Sequence, residues 1–298
     1  FFKKVNFLTH ACQNKACVKD YFLHETKKVF WYKNLTSYHN IIYKIWTLSL
    51  SMESNFYDVF PKKKILIGML HLAGKNHLER VDRAIEEMTI YREEGFDGAI
   101  VEDFHGELQD VISVLSKAND LGLNKGPFAV GVNVLNDPYI AFELADKYGA
   151  TFIQFDTIQA SPGDRYNPKR FNEKLHISLR KKYSEICIFG GVRFKYIPET
   201  GNSLEDDIAD GMYKADAIVT TGEGTGIETP TQKLRDFRKI MGTFPFIDGA
   251  GVNDKNIREQ IEIVDGAVIG SYLKNYDTEA QIQRERVRRI VDLVGIKT

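Results

Sequence analysis

The sequence predicts a single (β/α)8 barrel, preceded by an N-terminal extension. Three observations carry that expectation. From Lys64 onward, short apolar runs alternate with longer amphipathic stretches. The apolar runs are unbroken rather than alternating with polar residues, as parallel strands covered by helices are. The joints before the second, fourth, sixth and eighth runs also resemble one another: EEGFDGAIVED (93 to 103), KYGATFIQFD (147 to 156), YKADAIVTTG (213 to 222) and VDGAVIGS (264 to 271). Alternate strands of such a barrel share interior layers, so a repeat at every second strand favours a closed barrel over an open sheet.

The strands are expected to begin near Ile65 (ILIGMLH), Gly98 (GAIVEDF), Pro127 (PFAVGVNVL) and Phe152 (FIQFDT), then near Ile186 (ICIFGGVRF), Ala217 (AIVTTG), Phe244 (FPFIDG) and Ala267 (AVIGS). Each gap has room for a helix and two loops. Between His77 and Glu94, Val81, Ile85, Met88 and Tyr91 fall on one helical face. Asp137-Pro138 reads as a cap residue and first helical position after the third strand. Ser203 with Asp206 three residues on reads as a variant capping box. The helix from Phe171 to Lys182 has a basic outer face, which a solvated surface explains. The final strand–helix–strand, Phe244 to Lys274, carries a glycine pair after one strand and Gly270-Ser271 after the next. Bare backbone amides there would make a phosphate cradle of the kind such barrels build after their seventh and eighth strands; the alternative is that the glycines only form the tight turns a strand-to-helix connection needs.

Composition bounds the function classes. The 298 residues are 43% hydrophobic and 27% charged, with net charge −1. No basic block or stacking motif points to nucleic acid, and no apolar run approaches the ~20 residues needed to span a bilayer. Residues 1–51 differ: eight Lys, no Arg, one Asp and one Glu give +6, so −1 less +6 leaves −7 for residues 52–298. This segment holds both tryptophans but no Gly, Pro or Met. It lacks the arginines of a transit peptide and any sustained period. The expectation is therefore that residues 1–51 are disordered or lie upstream of a start at Met52, with the barrel at 52–298. A cytoplasmic, soluble protein is favoured, and a mitochondrial one is the alternative if the extension is a targeting segment. Three cysteines give no disulfide framework.

Active sites in this fold lie at the carboxyl ends of the strands. Those ends offer His71, Glu102, Asn133, Asp156, Arg193 with Lys195, Thr225, Asp248 and Ser271. Glu102 and Asp156 suit general acid–base work, which needs two carboxyls in different environments; helix capping or pairing with Arg193 and Lys195 is the plainer alternative. Lys195 would form a Schiff base if desolvated, and beside Arg193 it would bind an anion. His71, Glu102, Asp156 and Asp248 have the donor types of a divalent-metal site, but no fixed ligand spacing supports one, so no metal or other cofactor is expected. Asn133 and Asp248 are substrate-binding candidates. The loop TTGEGTGIETP is not a Walker motif; its Thr225 and Gly226 extend the cradle formed by Gly249, Gly251, Gly270 and Ser271.

IGMLHL (67 to 72), DGAIVEDF (97 to 104), GVNVLND (131 to 137), GTGIETP (224 to 230), GAGVNDKNI (249 to 257) and DGAVIGSYLK (265 to 274) together resemble the BtpA/SgcQ family. The resemblance runs from about Ile65 to Val294. It implies a barrel of the ribulose-phosphate-binding type, and His71, Glu102, Asn133, Lys195, Gly249, Gly251 and Gly270 match its motifs by position. It implies less about chemistry, because photosynthetic members are linked to photosystem I assembly and a bacterial branch to sugar metabolism. Two departures stand out. The family's Asp-Val-x-x-Lys-His at the fifth strand has Gly191 and Tyr196 here in place of Asp and His, and the proline-rich turn after the first strand is reduced to Ala73-Gly74-Lys75. The leading expectation is an isomerase, lyase or hydrolase of a small phosphorylated metabolite, a sugar or nucleoside phosphate. The alternative is a non-catalytic assembly or stability factor. Association with further copies of the chain is compatible with either.

Overall fold

Eight parallel strands close into a barrel in sequence order, β1 pairing with β8. The computed structural model describes residues 54–62, 64–159, 171–197 and 199–295; the expectation for residues 1–51 lies outside them. The order is α1 (Phe56–Val59), β1 (Ile65–Leu70), α2 (His77–Glu94), β2 (Gly98–Glu102), α3 (Leu108–Asp120), β3 (Ala129–Asn133), α4 (Ile140–Tyr148) and β4 (Phe152–Phe155). It continues with α5 (Glu173–Lys182), β5 (Cys187–Gly191), α6 (Leu204–Lys214), β6 (Ala217–Thr220), α7 (Thr231–Met241), β7 (Phe246–Asp248), α8 (Ile257–Ile263) and β8 (Gly266–Ile269). A short 3-10 turn, Ser271–Lys274, then leads to α9 (Arg284–Val294). Every strand is buried along its whole length, as the unbroken apolar runs required.

Strand residues alternate between two cores. Ile65, Ile67, Met69, Ile100, Phe152, Cys187, Phe189, Val219, Ile247 and Val268 fill the barrel interior. Their neighbours Leu66, Leu70, Val101, Ile153, Ile188 and Ile218 pack outward beneath the helices. Below the barrel, Phe56 and Phe60 close the amino-terminal end against Phe152 and Phe189, with ring centroids 5.3 to 6.0 Å apart. A Cβ on Gly131 would meet the Phe152 ring at 2.3 Å, so glycine there makes room for that plug.

The repeated joints have a definite chemistry. Asp97, Asp216 and Asp265 each precede an even strand, and each accepts the backbone N–H of a residue in the preceding odd strand: Leu66 at 2.9 Å, Ile188 at 2.8 Å and Phe246 at 3.0 Å. Each aspartate returns its own N–H to the carbonyl of that same residue, so the pair of bonds fixes register between odd and even strands. At the fourth strand Thr151 takes the place, returns only the backbone bond to Val130, and its buried hydroxyl has no partner among the described residues.

Several boundaries move. β3 and β7 begin two residues later than expected, at Ala129 and Phe246, while β5 and β8 shift by one. Asp137-Pro138 does not cap α4: Pro138 and Tyr139 form a turn in which Ile140 N–H bonds the Asp137 carbonyl, and the helix starts at Ile140. Ser203 does cap α6, accepting from Asp206 N–H, and its hydroxyl donates to the Asp206 carboxylate. The basic face of α5 is not wholly solvated, since Arg180 is buried on Asp216 at 2.9 Å.

Candidate active site at the barrel mouth

The interior alternation ends on Glu102, Asn133 and Gly191 at the last residues of β2, β3 and β5, and on His71, Asp156, Gly249 and Gly270 one residue past β1, β4, β7 and β8, all at the carboxyl-terminal mouth. The β2–β3 register sets Glu102 directly beside Asn133. One amide nitrogen of Asn133 donates to both carboxyls, at 2.7 Å to Glu102 and 3.1 Å to Asp156. Burial, and then the neighbouring Asp156 charge, push the Glu102 carboxyl up to about 8. Glu102 is therefore protonated at neutral pH, a carboxylic acid held beside a second carboxyl.

Glu102 lines a narrow pocket of about 30 Å³ together with His71, Lys195, Thr225, Gly226, Gly249, Gly251, Gly270 and Ser271. His71 is buried, and desolvation, with Lys274 and Lys195 nearby, holds its imidazole well below the usual range; it is neutral. Its Nδ1 and the Thr225 hydroxyl are buried polar atoms with no protein partner among the described residues, the condition of groups that await a ligand or water. Gly251 has φ +71°, and a Cβ there would lie 2.3 Å from the Glu228 backbone. A Cβ on Gly270 would come within 2.8 Å of the His71 ring. Neither position has room for a side chain, and both leave the strand-end backbone bare to the pocket.

Two expected residues face elsewhere. Arg193 commits its guanidinium to Asp207 at 2.8 Å and to the Asn202 carbonyl at 2.9 Å, and does not line the pocket. Asp248 follows inward-facing Ile247 and so faces outward; it accepts from Thr229 at 2.6 Å and braces the seventh loop from behind. Burial raises its carboxyl to about 7. Lys233, which belongs to no motif and lies on a helix away from the strand ends, spans the carbonyls of Arg193 and Thr221 at 2.8 and 2.7 Å and ties the fifth loop to the sixth. Desolvation lowers its amine to about 8. The substituted position Gly191 has a physical reason: a Cβ there would lie 2.0 Å from the Asp156 carbonyl oxygen. Tyr196, the other departure, accepts the Thr225 N–H on its hydroxyl at 2.9 Å. Among the described residues, no three His, Cys, Asp or Glu side chains gather as a metal-ligand set.

Backbone strain gathers at the same end. Among the described residues, the non-glycine positions with left-handed φ, Leu72, Arg193, Tyr196, Asn275 and Tyr276, all follow strands β1, β5 or β8 on the mouth side. Such conformations persist where surrounding contacts hold them, and they concentrate at functional sites.

The profile of the BtpA family matches residues 62–295. The chain belongs to the BtpA family. An uncharacterised protein of Methanocaldococcus jannaschii is 30% identical to it, over 78% of this chain and 96% of the relative. The photosystem I biogenesis protein BtpA of Synechocystis is 26% identical, over 74% of this chain and 84% of the relative. Among solved structures, a thiamine phosphate pyrophosphorylase from Pyrococcus furiosus superposes with a TM-score of 0.52 at 14% identity, over 78% of this chain and 95% of that one. At that identity the likeness establishes the barrel fold. No helix among the described residues is long and apolar enough to cross a membrane.

Proposed function

We propose that this BtpA-family barrel is an enzyme acting on a small phosphorylated metabolite at its carboxyl-terminal mouth. The observation that carries the reading is one pocket that joins the bare strand ends of β7 and β8 to the acid Glu102 and to Lys195. The phosphate lies against Gly249, Gly251, Gly270 and Ser271, with Thr225 donating its unpaired hydroxyl. Glu102 delivers a proton to the reacting end. Asp156, linked to it through Asn133, is the complementary base, because two neighbouring carboxyls in a buried site resist ionising together and keep one proton between them. Neutral His71 donates or accepts a hydrogen bond at its unpaired Nδ1. Isomerisation, aldol-type cleavage and glycosidic hydrolysis all use such a proton pair. The Pyrococcus furiosus structure is also named for a phosphorylated small molecule, thiamine phosphate, which is consistent with this reading.

The test is a thermal-shift screen against sugar phosphates and nucleoside phosphates. Ser271→Asp, which puts a negative charge into the cradle without crowding the Gly251 backbone, should abolish any stabilisation. Failure of every phosphorylated compound to move the melting temperature would remove the enzyme reading. The second reading, an assembly or stability factor, draws on the name of the Synechocystis relative and on Gly191, where the expected family acid has no room. Recovery of a stoichiometric protein partner, unaffected by Ser271→Asp, would favour it.

A further inference from the structure

Outside the pocket lies a second hollow of about 360 Å³, walled by Phe104, Tyr196, Ile227 and Tyr276. It shares Thr225, Gly226, Ser271 and Tyr276 with the inner pocket. A Cβ on Gly226 would stand 3.2 Å from the Ser271 side chain, so these two residues form the neck between the spaces. Among the described residues no charged side chain lines the outer hollow, whose remaining walls are Thr225, Gly226, Ser271 and Thr278; it offers aromatic faces and hydroxyls rather than the charge a phosphate needs.

The aromatic rings are gathered and held there. Of the five exposed aromatic side chains among the described residues, three, Phe104, Tyr196 and Tyr276, line this one hollow. They come from the loops after β2, β5 and β8, so local sequence does not explain their meeting. Tyr196 and Tyr276 both have left-handed backbone, φ +61° and +65°, a conformation that bulky L residues avoid. Each is pinned in it: Tyr196 through its hydroxyl to Thr225 N–H, Tyr276 through its own N–H to the Ser271 carbonyl at 2.7 Å. Yet the Tyr196 side chain remains 70% exposed. A ring held rigid and left open to solvent is a stacking platform prepared in advance, and preorganisation lowers the cost of binding.

We infer that the substrate of this site carries a planar aromatic group, which stacks among Phe104, Tyr196 and Tyr276 while its phosphate lies at the neck. The substrate class is a nucleobase-bearing phosphate rather than a bare sugar phosphate. This rests on the phosphate reading of the inner pocket and adds the identity of the outer end.

Isothermal titration calorimetry of the full chain with AMP, GMP, CMP, UMP and ribose 5-phosphate tests it. At least one nucleotide should bind about tenfold or more tightly than ribose 5-phosphate. Phe104→Ala and Tyr196→Ala should each weaken that nucleotide about fivefold or more, as the loss of a base-stacking ring does. Phe104→Ala should leave ribose 5-phosphate unchanged, and Tyr196→Phe, which keeps the ring but loses its bond to Thr225 N–H, should fall between wild type and Tyr196→Ala for the nucleotide. If Tyr196→Ala also weakens ribose 5-phosphate, the sixth loop has moved, and Phe104→Ala decides. If ribose 5-phosphate binds and no nucleotide exceeds it, the aromatic subsite is overturned and the phosphate reading stands. If none of the five binds, both fall.

Discussion

Glu102 holds a buried carboxyl next to another, and its titration carries a signed consequence. An unfolded chain releases the glutamate proton near the ordinary value of about 4.3, whereas the folded protein retains it until about 8. Between those values the folded state binds the extra proton, so this residue lowers stability progressively as pH rises through the window. Below it both states are protonated and the effect vanishes. Glu102→Gln should therefore match wild type near pH 4 and become increasingly the more stable of the two toward pH 8, read by urea denaturation at each pH. A flat difference across the window would show that Glu102 ionises normally. If the proposed acid role holds, turnover should also fall above about pH 8, and Glu102→Gln should lose on the order of a hundredfold or more.

Gly251 gives the complementary case, in which the backbone decides. Its left-handed φ and the Glu228 backbone 2.3 Å from any Cβ mean that Gly251→Ala must displace the sixth loop. A cost of about 2 kcal/mol or more is expected in denaturant unfolding, from strain and overpacking together. Gly126→Ala should cost less: its φ is also left-handed, but nothing lies within 4 Å of the added Cβ. Equal losses at the two positions would remove the crowding argument. At this scale the sequence was only partly legible. It identified the strand ends, and an inward alternation counted from Ile65, Ile67 and Met69 would have selected His71, Glu102, Asn133 and Asp156. The same count places Asp248 outside, beside inward Ile247. What it does not contain is the direction of Arg193 beyond the last strand residue, because a left-handed φ of +47° turns the chain there.

At the scale of elements, the repeated joints proved more informative than their apolar runs. The runs fix that strands exist, with ends uncertain by one or two residues because buried apolar residues continue into the loops. The aspartates fix how odd and even strands align, since each takes one strand N–H that no ladder bond satisfies. Asp97→Ala should cost about 1–3 kcal/mol through the orphaned Leu66 N–H. Asp216→Ala should cost more, about 3–5 kcal/mol, because it also strips buried Arg180 of its carboxylate. Urea unfolding of both variants orders the two, and a larger loss at Asp97 would mean that the Arg180 pair adds nothing. Thr151, which lacks the carboxylate, explains why only three of the four look-alike joints contain Asp.

Across the barrel, the first and last βα units are joined behind the proposed phosphate cradle by a buried ion pair. Lys274, three residues after Ser271, meets both carboxyl oxygens of Glu87 on α2, at 2.7 and 2.9 Å. Arg284 and Arg288 of α9 add pairs to exposed Glu93 and to largely covered Glu94 on the same helix, but both arginines stay open to solvent, which screens the pairs. The buried pair is different, since removing one partner leaves the other ionised in an apolar setting. Lys274→Met should destabilise by about 3–5 kcal/mol at neutral pH. Glu87 would then keep its proton in the folded state alone, so the deficit should grow as pH rises above the ordinary glutamate range and shrink toward pH 4. Glu87→Gln with Lys274→Met should recover most of the loss, since no buried charge remains. If the double variant is no better than Lys274→Met, the pair acts by shape rather than charge. Because Lys274 ends the turn that begins at Ser271, the single variant should also weaken phosphate-dependent stabilisation, whereas the double variant should restore it only if the turn regains its position.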